Sequence, residues 1–124
     1  MGYTVLRLDE LEWSTPSKGD QARGIMRLSE ALTHMRANIW RMPAGSRGRR
    51  HFELVQEEVF VVLSGTAAFA LDDPAEWVQV PAGGVVLLEV GTAIELGCDG
   101  PGDAVILALG APPEEHRAEY LPDA

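Results

Sequence analysis

His51, Glu53 and Glu58 are the residues of this 124-residue chain whose types and spacing suggest chemistry most directly. An imidazole and two carboxylates within eight positions can give and take protons. Two carboxylates close together cannot both ionise cheaply, so one proton is shared between them, and such a group serves as a general acid or base. The competing expectation is a structural cluster in which His51 or Arg49 neutralises the acids. Arg41, Arg47, Arg49 and Arg50 fall within ten residues. Their planar forks suit a carboxylate or phosphate, which makes the segment before His51 a candidate anion-binding rim; the plainer alternative is a solvated loop. Cys98, the only cysteine, follows Gly97 with no His or Lys beside it. It is expected to be neither a nucleophile nor part of a disulfide. His34 and His116 are weaker nitrogen donors, His34 reading as a solvent-facing residue and His116 as part of the tail. Trp13, Trp40 and Trp77 read as barrel core, interface or cavity lining, and Met26, Met35 and Met42 as packing.

The elements that would position these groups are short strands. Alternation and turn signals predict strands at Val5–Leu8, Gly24–Leu28, Met35–Met42, Glu58–Leu63, Thr66–Leu71, Trp77–Val80, Val85–Leu88, Ala93–Leu96 and Val105–Leu109. Pro43-Ala44-Gly45, Ser64-Gly65 and Asp72-Asp73-Pro74 are the breaks between them. Pro113–Tyr120 reads as a helix or an extended tail, Glu114 and Glu115 favouring a helix start. About nine short strands at regular spacing predict an all-β sandwich or barrel. In Glu58–Leu63 both faces are apolar, so the outer face is expected to be covered by a further layer or a second subunit.

The order Gly45, His51, Glu53, Glu58, Gly65, with Gln56 to Gly65 closest in pattern, resembles the first motif of the cupin superfamily, and Pro81-Ala82-Gly83 resembles the opening of its second motif. The resemblance covers about residues 35–113 and is that of a small single-domain bacterial cupin. It implies a double-stranded β-helix, or jelly-roll barrel, with the whole chain 1–124 as one domain. In the family three His and one Glu converge in the barrel mouth and hold a transition metal. Two residues spaced by one on a strand point the same way, and a turn then returns a carboxylate to that side. Carried over by position, the set here is His51, Glu53, Glu58 and Val86. Glu53 and Val86 stand where the family has histidines, so the metal motif is degraded. One imidazole and two carboxylates reverse the two-His, one-carboxylate triad of iron oxygenases. Tight metal binding is therefore not expected, although a divalent transition metal on His51, Glu53 and Glu58 is the alternative. The expected ligand-binding residues are His51, Glu53, Glu58, Arg49, Phe60 and Val86.

Composition bounds the remaining classes. A net charge of −9 argues against nucleic acid, and it is unevenly placed, with +4 in the first fifty residues and −13 in the rest. No apolar run approaches the ~20 residues of a membrane helix. Residues 1–13 lack an apolar signal core, so a cytoplasmic location is expected. Three functions remain open: a barrel that binds a small molecule, anionic if the arginines serve it, without a metal; a metal-dependent oxygenase or isomerase; and a structural homodimer whose cavity is filled by its own side chains.

Overall fold

The computed structural model describes residues 2–113 and 118–124. In chain order the strands are β1 (Gly24–Arg27), β2 (Arg36–Met42), β3 (His51–Glu53), β4 (Glu57–Ser64), β5 (Thr66–Leu71), β6 (Glu76–Pro81), β7 (Val85–Leu88), β8 (Ile94–Gly97), β9 (Ala104–Ala111) and β10 (Ala118–Tyr120). They form two five-stranded antiparallel sheets, one ordered β1-β2-β9-β4-β7 and the other β10-β3-β8-β5-β6. The all-β expectation holds, and most predicted strands lie within two residues of the observed ones.

Two expectations fail. Val5–Leu8 is not a strand. Residues 2–7 belong to no regular element, Leu8–Glu10 is a single 3₁₀ turn, and Val5, Leu6 and Leu8 are exposed. The backbone pairing from this end to the edge of β1 is one bridge, Ser14 to Ile25, so upstream alternation finds no ladder. Of the two readings of Pro113–Tyr120, the helix fails and the extended one holds at its described end, where β10 pairs with β3 from Ala118–Glu53 to Tyr120–His51. A helix that short is marginal alone, whereas an open strand edge supplies backbone partners. Residues 114–117, including His116, lie outside the described residues.

The first sheet's inward rows change character along the barrel. Trp40, Ile106 and Val62 face one another in register across β2, β9 and β4; next come Asn38, Ala108 and Phe60; then Arg36, Gly110 and Glu58. The apolar end is packed solid. Met42, Val62 and Ile106 bury themselves against Phe69, Ile94 and Cys98 of the second sheet. Phe60 closes this core from above, its ring edge-on to Phe69 at 5.7 Å and 68°, an arrangement favoured by the ring quadrupoles. Cys98 is buried here, its thiol donating to the carbonyls of Gly102 and Thr66. The polar end is left open.

At Gly65 the chain passes from one sheet to the other. Its φ is +71°, and a Cβ there would run into the Asp103 carbonyl, so a glycine is required. The outer face of β4 is only partly covered: Val59 and Val61 are half-buried, and Leu63, Val85 and Leu87 are exposed, Leu87 by 75%. Nothing among the described residues supplies the second layer expected there. Among the described residues no helix is long and apolar enough to cross a membrane.

Candidate functional site

The chain leaves the second sheet at Glu53 and enters the first at Glu57, with Leu54, Val55 and Gln56 between. That short crossing places His51 and Glu53 on one wall of the barrel and Glu58 on the other. One donor atom from each of the three lies within 4.8 Å of the others. They line a cavity of about 730 Å³ in the open half of the barrel, a size typical of small-molecule sites. The interior is thus not filled by its own side chains.

His51 Nδ1 lies 2.9 Å from the Arg49 carbonyl, an acceptor, so that nitrogen carries a hydrogen. Nε2 then faces Glu53 Oε2 at 3.3 Å. Two lone pairs cannot usefully face each other, so a proton belongs between these atoms. Burial alone would lower the His51 pKa, but the hydrogen bonds it donates to Glu53 and to the Arg49 carbonyl, with the charges of Glu58 and Glu53, raise it overall. The proton therefore resides on the imidazole. Glu53 is 6% exposed and turned inward, as the shared face with His51 requires.

Glu58 sits in a different environment. Its pKa is pushed from an ordinary 4.5 up to about 7, chiefly by burial and further by Glu53, against the pull of His51 and Arg36. Arg36 reaches it across Gly110, which has no side chain to separate them. A Cβ on Gly110 would stand 2.8 Å from Gln56 Oε1, the same oxygen that receives Arg36 Nη1 at 3.4 Å. Gln56 is 4% exposed, and its Nε2 has no acceptor among the described residues.

The remaining sequence-predicted residues divide. Phe60 and Arg49 line the cavity. Val86 does not: it faces inward opposite Phe60 and packs against the core, outside the cavity lining. The segment before His51 is only half a rim. Arg49 stacks on Tyr120 at 3.7 Å, whereas Arg50 turns away and is buried, bonding to Asp73 and to the Asp72 and Pro122 carbonyls. Arg47 pairs with Asp99 and covers Trp77, and Arg41 covers Trp13. His34 is exposed and takes no part in the cavity. Sequence reading missed Arg23, Arg27, Arg36, Asn38, Gln56 and Tyr120 on its walls. For Arg36 and Asn38 a signal existed, since they alternate with buried Ala37 and Ile39.

No family model matches the chain, and no curated protein does either. Solved structures do. The polyketide cyclase RemF of Streptomyces resistomycificus superposes with a TM-score of 0.81 at 10% identity, over 98% of this chain and 87% of that one. A Klebsiella pneumoniae protein described by its double-stranded β-helix domain gives 0.76 at 16%, over 98% and 99%. A sugar phosphate isomerase of the cupin superfamily from Silicibacter pomeroyi gives 0.73 at 22%, over 87% and 75%. With the topology above, these likenesses establish the cupin fold, a double-stranded β-helix.

The raised Glu58 pKa has a consequence for stability. The folded state holds this proton more tightly than the unfolded chain, so the contribution is complete below about pH 4.5 and is lost as pH rises through about 7. The raised His51 pKa acts with the same sign. Glu58→Gln is expected to flatten the decline between about pH 5 and 8 and to exceed the wild type at pH 8 by on the order of 1–2 kcal/mol. Urea unfolding at several pH values measures this; parallel curves for the two proteins would contradict the assignment.

Proposed function

We propose that the protein binds a small organic molecule in the open half of the barrel and exchanges a proton with it through Glu58 and the His51–Glu53 pair, without needing a resident metal. The observation that carries this reading is the convergence of three proton-bearing groups from two sheets on one open cavity, in a barrel whose other half is packed. Ionised Glu58 can take a proton from a carbon beside a carbonyl, and the imidazolium of His51 can return one. Return of the proton from Glu58 to His51 restores the starting state. Two structural neighbours are named for an isomerase and a cyclase, rearrangements of one organic molecule, which supports this class of reaction.

A second reading, a metal held by His51, Glu53 and Glu58, is favoured by their mutual distances of at most 4.8 Å. Two ligands at about 2.0–2.2 Å from one ion stand at most about 4.4 Å apart, so little adjustment would be needed. The donor chemistry is less suited. One imidazole with two carboxylates fits magnesium or manganese better than iron, nickel or copper. Val86, behind Phe60, offers no fourth ligand. An ion bound there would polarise a ligand oxygen. The expected result for the purified protein is well under one metal per chain by mass spectrometry. Glu53→His, which places a second imidazole in the cavity, is expected to raise it to about one, whereas Val86→His is not; equal content in the wild type and Glu53→His would contradict this account of the site.

The binding reading is tested with a library of small carbonyl compounds by ligand-observed NMR. Ala108 stands beside Phe60 on the neighbouring strand and lines the cavity, so Ala108→Leu narrows it. Compounds bound by the wild type are expected to lose at least tenfold in affinity on this variant. In D₂O they are expected to exchange a hydrogen beside the carbonyl, and Glu58→Gln should abolish that exchange. Binding indifferent to Ala108→Leu would place the ligand elsewhere.

The same reading includes a second copy of the chain on the outer face of β4 and β7. Val59, Val61, Leu63, Val85 and Leu87 form an apolar strip there, and a stable dimer needs about 1,000 Å² or more. Light scattering at micromolar concentration should give a dimer that Leu87→Glu dissociates. A wild-type monomer would sink this part of the proposal.

A further inference from the structure

The cavity has a second chemical half that the acid cluster does not explain. Five of the chain's ten Lys and Arg side chains line it: Lys18, Arg23, Arg27, Arg36 and Arg49. In a protein of net charge −9 this concentration runs against the overall field. Among the described residues none of the five forms a salt bridge to a carboxylate. The bridges present involve Arg47, Arg50 and His51 instead.

Two of these cations are held against mutual repulsion. Arg23 is 6% exposed and braced by the Lys18 and Asp20 carbonyls, with its guanidinium 4.8 Å over Trp40. Gly19 touches both it and Arg49: a Cβ there would stand 2.6 Å from Arg23 Nη2 and 3.1 Å from Arg49 Cγ. Burial and the neighbouring Arg49 charge both lower the Arg23 pKa, with Asp20 opposing. Three carboxylates, Glu30, Glu53 and Glu58, line the same cavity, so the five cations leave a positive surplus there that favours an anion.

Arg36 and Arg49 are the members placed to receive it. Arg49 stands over the Tyr120 ring at 3.7 Å, a contact that holds the guanidinium at the cavity wall. Its own carbonyl holds His51, so the cation sits beside the acid cluster. Arg36 approaches the cluster from the other sheet, over Gly110, with a single long bond to Gln56. Gln56, buried with an unpartnered Nε2, adds a neutral donor on the same wall. We propose that the cavity takes a small organic anion, its carboxylate or phosphate received by Arg36 and Arg49 with Gln56 and the rest of the molecule lying over His51, Glu53 and Glu58. This names the ligand class of the site proposed above and rests on that cavity being the binding site.

The test titrates inorganic phosphate, acetate and malonate into the wild-type protein, Arg36→Gln, Arg49→Gln and Arg47→Ala at low salt, following backbone amide shifts. Arg47 lies outside the cavity and serves as the control. The expected result is saturable binding of at least one probe, with shifts at residues 36, 49, 56 and 110. It should weaken at least tenfold in either cavity variant, stay unchanged in Arg47→Ala, and fall as sodium chloride is raised from about 20 to 300 mM. Preference for phosphate over the two carboxylates, or the reverse, assigns the headgroup. Unfolding curves without ligand show whether each variant is intact. No saturable binding by any probe, or binding that both cavity variants retain, overturns the proposal. Neutral carbonyl compounds that still bind in an Ala108-dependent way would then leave the cavity reading standing alone. Anion binding that depends on Arg36 and Arg49 without any Glu58-dependent exchange would instead remove the proton-transfer reading and keep the ligand class.

Discussion

The contact of Phe60 with Phe69 divides this barrel. On one side of it the inward side chains interlock, and on the other they stand apart around a cavity. The division follows from the three inward rows of the first sheet, which pass from apolar through mixed to charged along β2, β9 and β4. The packed half buries the apolar rows, and the charged row stands open around the cavity. Phe60 belongs to both halves, as the lid of the core and the floor of the cavity.

Much of this was legible in the residues. β4, β5 and β7 read out as short, largely apolar runs because the breaks at Ser64-Gly65 and Pro81-Ala82-Gly83 were sharp. The cluster of His51, Glu53 and Glu58 was legible through its spacing, which only a return turn between two sheets could make convergent. β3 was legible only through that motif, since three residues show no periodicity. β10 was not legible, because its conformation depends on the free edge of β3 and not on its own sequence. Arg49 and Arg50 are adjacent, yet one faces the cavity while the other holds the C-terminal tail through the Pro122 carbonyl and the turn after β5 through Asp72 and Asp73. Which way each turns is decided where the chain enters β3, and a loop carries no period from which to read it. The cationic wall escaped for a related reason: Arg23, Arg36 and Arg49 are far apart in the chain, and only the order of strands brings them together.

The two kinds of charge at the site come from different parts of the fold. The acid cluster stands on β3 and β4, with the short crossing between them tying its geometry to the barrel itself. The cations come from the loop before β1, the outer ends of β1 and β2, and the segment entering β3. Electrostatic reach connects the halves, since Arg36 and Glu58 share a row across Gly110, so a change in either is felt by the other.

A barrel whose stability resides at one end tolerates change at the other. The open half is where most of the site's side chains lie, and few of them are needed to hold the sheets together. Histidines expected by motif can therefore become Glu53 and Val86 while the strands keep their register. The arginine-bearing loop and edge strands can change separately from the acids at the floor. The architecture thus leaves ligand choice and proton chemistry open to change on a scaffold that folding alone would preserve, with Arg36 and Arg49 as the points where the two are linked.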